Sequence, residues 1–243
     1  MTVAWEEVGW ERVSGHVGRV RLPGWDCTAG LVVGGAGALL VDAGSSLAEG
    51  ARLRADVGRL LGGARVTHLA LTHPHFDHVF GAPAFADAEV FAATDPAGRP
   101  SRSPEELRAD AVANGLDART AAEAADALVR PHRLVTGEHP LDLGGGVRVL
   151  LANVGPGHTA HDLAVLVPGA PGAVFCGDLV EESGEPQAGP DAHPAHWPTA
   201  LDRLLELGGP EAAYVPGHGA VVDAAFVRRQ REELAARFAG FEA

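Results

Sequence analysis

Three histidines and one aspartate crowd into a segment of six residues. His73, His75, Asp77 and His78 occur there in the run HPHFDH. Imidazole nitrogens and carboxylate oxygens are ligands of zinc, iron and manganese, and a folded surface has little structural reason to crowd them. Alternation along an extended segment would direct the first two histidines and the aspartate to one side and His78 to the other. A bend after His75 would therefore let the segment serve two adjacent metal ions.

Four further segments place a candidate ligand on a glycine-containing turn at or near the end of a strand. They read VDAG, GPGHT, FCGD and VPGHG. The last three carry the candidate ligands His158, Asp178 and His218, and VDAG carries Asp42, which ranks just below them as a candidate. Glycine lets the backbone turn tightly, so side chains from separate strands can converge on one point. A carboxylate that follows the apolar run AVFC, as Asp178 does, would be buried without a partner unless a cation is there.

The elements that must position these residues are strands and helices in alternating groups. Hydrophobic periodicity and turn residues predict strands at 15–22, 28–34, 38–42, 66–71, 147–151, 163–167, 173–176 and 213–215. The same signals predict helices at 47–61, 197–207 and 224–238, and two more in a helical insert at about 100–130. This order predicts two packed sheets with helices outside. No linker-like segment divides the chain, so we expect a single domain over residues 1–243.

Composition disfavours several classes of partner. The 19 Lys and Arg against 32 Asp and Glu give a net charge of −13, and no basic run interrupts the acidic excess. Such a chain repels nucleic acid and anionic membrane surfaces. Two cysteines are too few for a disulfide framework, and no stretch reaches the roughly 20 apolar residues that a membrane span needs. We expect a cytoplasmic protein whose partner is a small-molecule substrate; the oligomeric state is left open.

Taken in order from about Leu40 to Gly219, the five motifs resemble those of the metallo-β-lactamase-fold superfamily of metallohydrolases. The resemblance implies an α+β fold, a four-layer αββα sandwich of two mixed β-sheets with the metal site at one rim. It implies His73, His75 and His158 as ligands of a first metal, Asp77, His78 and His218 as ligands of a second, and Asp178 as the bridge. Asp42 resembles the family's buried aspartate, which would orient a ligand by hydrogen bonding. The implied cofactors are two divalent metal ions, with zinc expected and iron or manganese as alternatives.

Such a centre predicts a hydrolase in which a metal-bridging hydroxide attacks an acyl carbon. Asp77 is the expected catalytic residue, because it would hold the nucleophile and shuttle its proton. Asp178 stands where zinc β-lactamases of the commonest subclass carry a cysteine, so the chain looks more like thioesterases, lactonases and phosphodiesterases. The expected substrate is a small ester, thioester or lactone. β-Lactams and phosphodiesters rank below it.

Two other reactions of the superfamily bear on this sequence. Glyoxalase II enzymes have a similar ligand set, but their glutathione-binding helical domain follows the last histidine, and only 25 residues follow His218 here. A glutathione thioester is therefore not expected. The alternative function is a mononuclear iron oxygenase that resembles persulfide dioxygenases. Those enzymes do not need a complete second site, whereas Asp77, His78 and His218 are all present here.

Two segments are expected to cover the pocket, the insert at about 100–130 and the loop at 180–197. The loop carries His193, His196 and Trp197 shortly after Asp178, and these side chains are predicted to contact substrate, with a surface turn as the alternative reading. His161 lies three residues after His158 and is expected to hydrogen-bond to a ligand.

Overall fold

The computed structural model describes residues 3–94 and 102–240. Its strands are β1 (Glu11–Ser14), β2 (Val17–Arg21), β3 (Thr28–Val33), β4 (Ala38–Val41), β5 (His68–Leu71), β6 (Glu89–Ala93), β7 (Arg133–Val135), β8 (Glu138–Asp142), β9 (Arg148–Gly155), β10 (Asp162–Val167), β11 (Ala173–Glu181) and β12 (Ala213–His218). Its α-helices are α1 (Leu47–Leu60), α2 (Phe76–Val79), α3 (Pro104–Ala113), α4 (Ala118–Asp126), α5 (Trp197–Gly208) and α6 (Ala224–Arg237).

The strands of the described residues form two sheets. The first sheet has the order β1-β2-β3-β4-β5-β6-β7 and the second has the order β12-β11-β10-β9-β8. Strands β1 to β4 pair antiparallel, whereas β4 to β7 pair parallel. In the second sheet β11 pairs parallel with β12 and the other pairs are antiparallel. Both sheets are mixed, which confirms the prediction.

Alternating side chains of the strands divide the core into layers. In β4, Leu40 packs in a cluster with Leu53 of α1, whereas its neighbour Leu39 packs in a cluster with Val165 of β10. Successive residues of a strand face opposite sides of the sheet, so β4 has a helix layer on one face and the second sheet on the other. A third cluster joins the outer face of the second sheet to α5 and α6. The result is the four-layer αββα sandwich.

The predicted helices begin at residues that favour this position. The side chain of Ser46 caps α1 by accepting a hydrogen bond from the backbone N–H of Glu49. Ser103 and Glu106 form a capping box at α3, which together with α4 confirms the two helices expected there. Residues 100–101 of the expected insert lie outside the described residues. Within the ranges that the structure describes, no helix is long and apolar enough to cross a membrane.

Four strands were absent from the sequence prediction: β1, β6, β7 and β8. Three of them are edge strands of their sheets. β7 has three residues, and β8 alternates between exposed and half-buried positions. Edge strands need only weak apolar patterning because one side has no neighbouring strand, so composition gives little signal for them.

Candidate metal centre

The histidine-rich segment changes direction where the sequence predicted a bend. His73 follows the end of β5, and His75 has an extended backbone with φ −97° and ψ 149°. Helix α2 begins at the next residue and carries Asp77 and His78. The bend after His75 is confirmed, and it separates the first two histidines from the third.

A first group of ligand atoms meets between the two sheets. It consists of one atom each from His73, His75, His158 and Asp178, all within 4.8 Å of one another. His158 Nε2 lies 3.0 Å from His75 Nδ1, and Asp178 Oδ2 lies 3.5 Å from both His73 Nε2 and His158 Nε2. Zinc bonds of about 2.1 Å in a tetrahedron separate ligand atoms by about 3.4 Å. The four atoms therefore fit the ligand shell of one metal ion.

A second group shares Asp178 with the first. His78 Nε2 lies 3.1 Å from Asp178 Oδ1, and His218 Nε2 lies 3.3 Å from Asp178 Oδ2. Asp77 Oδ2 lies 3.3 Å from His218 Nε2 and 3.7 Å from His78 Nε2. All seven side chains that the sequence singled out as ligands are thus brought together, and Asp178 lies between the two groups.

The polar atoms of these groups fit a cation better than they fit one another. Within the described residues, His73 Nε2 and Asp178 Oδ1 are buried without a hydrogen-bond partner, and the 3.1 Å approach of His78 to Asp178 lacks hydrogen-bond geometry. Buried polar atoms are rarely left unpaired, because their desolvation is then uncompensated. A metal ion would satisfy both atoms at once.

The charges of the groups also suit a cation. Burial lowers the pKa of His158 to about 4, so its ring is neutral and offers a lone pair. Burial disfavours the charged form of Asp178, but the facing His78 and His218 rings outweigh it and hold the carboxyl pKa well below its usual range. Burial likewise opposes a charge on His218, yet the carboxylates of Asp178 and Asp77 raise its pKa to about 12. In the metal-free protein His218 therefore carries a proton that a metal ion would replace.

Each ligand imidazole has a partner for the ring nitrogen that points away from the site. The pairs are His73 Nδ1 with Thr72 Oγ1 (2.9 Å), His75 Nε2 with Asp191 Oδ2 (3.1 Å), His78 Nδ1 with Asp42 Oδ2 (2.8 Å), His158 Nδ1 with the Gln187 carbonyl (3.1 Å) and His218 Nδ1 with the Trp25 carbonyl (2.7 Å). Such partners fix the ring orientation and, where they accept the ring N–H, leave the other nitrogen free to bind a metal.

Asp42 lies under the site, as the resemblance implied. Its Oδ1 accepts the backbone N–H of Thr72, and its Oδ2 accepts the Thr72 hydroxyl and faces His78 Nδ1. The residue is 2% exposed and has a φ of +58°, a left-handed conformation that costs a non-glycine residue about 1 kcal/mol or more. A strained residue with three buried contacts to the ligand-bearing segment is typical of a functional position.

Two glycines let the strand ends approach each other at the site. Gly177 has a φ of +52°, and a Cβ there would lie 2.9 Å from Thr72 Cβ. A Cβ on Gly217 would lie 1.8 Å from Asp178 Oδ1. The FCGD and VPGHG turns therefore need glycine so that Asp178 and His218 can reach the same point.

A cavity of about 270 Å³ opens beside the two groups. Its wall is formed by His158, Asp178, Glu181, Ser183, Gly184, Glu185, Gln187 and His218. Of the two segments expected to cover the pocket, the loop contributes its first part, between Glu181 and Gln187, and the described residues of the insert contribute nothing to the wall. No sequence signal distinguished these residues from the rest of the loop.

The residues expected to contact substrate occupy different places. Trp197 is fully buried: its indole N–H donates to the Leu179 carbonyl, and its ring lies 5.4 Å from that of His158. It packs behind His158 and is not one of the wall residues. His193 and His196 are half-buried, with ring centroids 6.2 Å apart, and lie outside the wall residues. His161 is half-buried in the same turn as His158, and its bond to a ligand stays a prediction.

Two residues near the ligands were missed by the sequence reasoning. Cys27 is buried with its Sγ 3.6 Å from His78 Nδ1, and it forms a β-bridge with His218. Asp191 contacts His75 across 116 positions of the chain. No local pattern marks Cys27. A carboxylate in the glycine- and proline-rich loop that follows Asp178 was the one available signal for Asp191.

The family model described as "Metallo-beta-lactamase superfamily" matches residues 22–218. The chain belongs to this superfamily. The matched range includes all seven candidate ligands and Asp42. No curated protein sequence shows significant similarity to the chain.

Solved metallo-β-lactamase structures share the fold. A metallo-beta-lactamase from Pontibacter korlensis has a TM-score of 0.69 at 21% identity, over 93% of this chain and 97% of that one. The metallo-beta-lactamase FIM-1 from Pseudomonas aeruginosa in its mono-zinc form has a TM-score of 0.66 at 19% identity, over 94% and 95%. A metallo-beta-lactamase from Hirschia baltica has a TM-score of 0.65 at 16% identity, over 93% and 96%. At these identities the likeness establishes the αββα fold alone.

Proposed function

We propose that the protein is a hydrolase that holds two divalent metal ions, zinc in the first instance, and cleaves a small ester, thioester or lactone. The observation that carries the proposal is the shared carboxylate of Asp178, which has one ligand group on either side. Zinc is favoured over iron and manganese because the similar Pseudomonas aeruginosa structure is a mono-zinc form. Bound at these groups, the ions would supply a Lewis acid and lower the pKa of a water molecule.

The side chains of the chain would hold the ions and move the proton. His73, His75 and His158 offer three imidazole nitrogens on one side of Asp178. Burial opposes ionisation of Asp77, but the nearby His78 and His218 rings lower its carboxyl pKa, so it stays charged. Asp77 Oδ2 lies 3.3 Å from Nε2 of the wall residue His218, and the ionised carboxylate would hold the attacking water and accept its proton.

The negative charges of the cavity wall favour an uncharged substrate over an anion. Glu181 and Glu185 line the wall, and none of its described residues is Lys or Arg. Carboxylates there would repel phosphodiesters and the carboxylate that β-lactams carry, while a neutral acyl group has no such cost. The volume of about 270 Å³ suits a small molecule.

A substrate panel on the zinc-loaded protein tests this function. The panel contains an aryl ester, an acyl thioester, a lactone, a phosphodiester and a β-lactam. We expect hydrolysis of at least one acyl substrate, lost after chelation and restored by zinc, with two zinc ions per chain by elemental analysis. One iron per chain without acyl hydrolysis would overturn the hydrolase and favour the mononuclear oxygenase.

The wall charges have a separate test. Replacing both Glu181 and Glu185 by glutamine removes two negative charges without changing side-chain size. We expect phosphodiester or β-lactam turnover to rise relative to ester turnover. An unchanged ratio would show that the wall does not select against anions.

The proposed setting is the cytoplasm, with a small molecule as partner and neither nucleic acid nor membrane. The net charge of −13 and the two buried free cysteines support it. Fractionation of the native host cells, with blotting for the protein, would test the location.

A further inference from the structure

His75 differs from the other ligand histidines in the nitrogen that it offers. Its Nδ1 lies 3.0 Å from His158 Nε2, inside the first ligand group, so its Nε2 points away from the site. That Nε2 lies 3.1 Å from Asp191 Oδ2. A carboxylate accepts only, so the pair requires the proton on Nε2 and leaves the Nδ1 lone pair directed at the metal position.

Asp191 is itself held from two directions. On one side, backbone hydrogen bonds fix the two residues that follow it. The Ala192 N–H donates to the Gly189 carbonyl, and the His193 N–H donates to the carbonyl of Gly157, the residue before His158. From the other side Arg102 approaches, with its Nη1 3.9 Å from Asp191 Oδ2 and 2.9 Å from Asp110 Oδ2 on α3.

These contacts join three segments that are remote in sequence. Arg102 directly precedes the capping residue of α3, Asp191 belongs to the loop between β11 and α5, and His75 belongs to the ligand segment. The three side chains are 18%, 29% and 15% exposed, so the chain of contacts is largely shielded from water. Shielding strengthens such a pair relative to one on an open surface.

We infer that Asp191 is the positioning residue of His75, that it fixes the ring with Nδ1 toward the first metal, and that Arg102 holds Asp191 in place. Asp191 has this role only if His75 binds a metal ion, so the inference rests on the proposed function. Removal of such an outer partner typically costs 10- to 100-fold in metal affinity.

Three variants at position 191 separate the contributions of charge, hydrogen-bond acceptor and side-chain length to metal binding. Asp191→Asn keeps an acceptor without the charge, Asp191→Leu keeps the approximate size without an acceptor, and Asp191→Glu keeps the carboxylate on a longer stem. Zinc affinity is measured by competition with a chromophoric chelator, and site geometry by the visible spectrum of the Co²⁺-substituted protein. We expect 10- to 100-fold weaker binding and a shifted spectrum for the leucine variant, an intermediate loss for asparagine, and partial recovery for glutamate. Arg102→Gln, which removes a longer and partly exposed contact, should weaken binding by at most about fivefold.

Asp202→Asn is the matched control, because Asp202 also pairs with an arginine, Arg231 at 2.8 Å, but does so between α5 and α6. It should leave affinity and spectrum unchanged. In the metal-free protein, nitrogen NMR of His75 should report the Nε2–H tautomer in the wild type and a mixture in Asp191→Leu.

Wild-type affinity, spectrum and tautomer in the leucine variant would overturn the role of Asp191. A loss of affinity in the Asp202 control equal to that in Asp191→Asn would show a general effect of removing an arginine-paired carboxylate and would overturn it too. The proposed function fails on a different result, a wild-type protein that binds metal normally but hydrolyses no member of the panel.

Discussion

Asp42 gives the sharpest test of how the centre is held. Its Oδ2 serves two neighbours at 2.8 Å, the Thr72 hydroxyl and His78 Nδ1, while its Oδ1 accepts the Thr72 N–H. In Asp42→Asn one of these oxygens becomes an N–H donor. If the amide nitrogen takes the Oδ2 position, His78 must accept at Nδ1 and carry its proton on Nε2, the atom that faces Asp178. If it takes the Oδ1 position, it faces the Thr72 N–H, donor against donor.

In either orientation of the amide, one buried group faces a neighbour that cannot form its hydrogen bond. A buried group without its partner costs about 1–3 kcal/mol, so the free energy of unfolding of the metal-free protein should fall by that amount. The wrong tautomer of His78 should weaken binding at the second ligand group by about 10- to 100-fold and spare the first group. Asp42→Ala removes all the hydrogen bonds and should cost about 3–5 kcal/mol. Asp42→Gly should be about 1 kcal/mol less damaging than alanine, because the φ of +58° costs glycine nothing.

Urea unfolding of chelator-treated protein gives the stability, and competition titration gives the metal affinity of each group. Asp26→Asn is the control: Asp26 is the other described non-glycine residue with positive φ, at +61°, and it pairs with Arg21 on the surface. It should change the free energy of unfolding by less than about 0.5 kcal/mol. Binding of two metal ions by Asp42→Asn at wild-type affinity would refute the assignment of Asp42 as the residue that sets the His78 tautomer.

Three further predictions concern catalysis, protons and packing. Asp77→Asn should keep the fold and lower kcat by about 10²- to 10⁴-fold, and wild-type kcat at verified metal content would remove its proton-transfer role. The carboxylates raise the pKa of His218 to about 12 in the metal-free protein, so zinc must displace its proton. The apparent zinc affinity should therefore fall about tenfold for each pH unit as the pH decreases. Calorimetric heats of zinc binding that do not depend on the buffer at pH 7 would contradict this. Trp197→Ala should lower the free energy of unfolding by about 3–5 kcal/mol in a urea titration, since it empties a fully buried site behind His158, and a loss under 1 kcal/mol would show that the neighbouring residues close the gap.

The sequence predicted those parts of the fold and the site that have a local signal. The segment at 73–78 and the glycine turns around Asp178 and His218 are compact patterns, so the sequence alone indicates the seven candidate ligands that the structure brings together. The alternation of apolar residues likewise predicted the central strands. Asp191 and Cys27 had no such signal, because their contacts span 116 and 51 positions of the chain. Such contacts follow from how the layers dock, which periodicity does not encode.

The same reason explains the differences at Trp197 and β8. A tryptophan after a loop of glycine and proline is as suitable for a cavity wall as for a core, and only the position of α5 over the second sheet decides between them. β8 has a proline and alternates only between exposed and half-buried residues. Its pairing depends on the neighbour β9 more than on its own composition.

The candidate ligands come from both sheets, with His73, His75 and His78 after β5 of the first and Asp178 and His218 on β11 and β12 of the second. Neither sheet alone has a full set, so a partly folded chain in which one sheet has formed cannot retain metal with native affinity. Metal capture would thus report on the docking of the two sheets, and bound ions would stabilise the docked state. Each ion at 1,000 times its dissociation constant would add about 4 kcal/mol to the free energy of unfolding, so cells short of metal should contain more of the undocked chain.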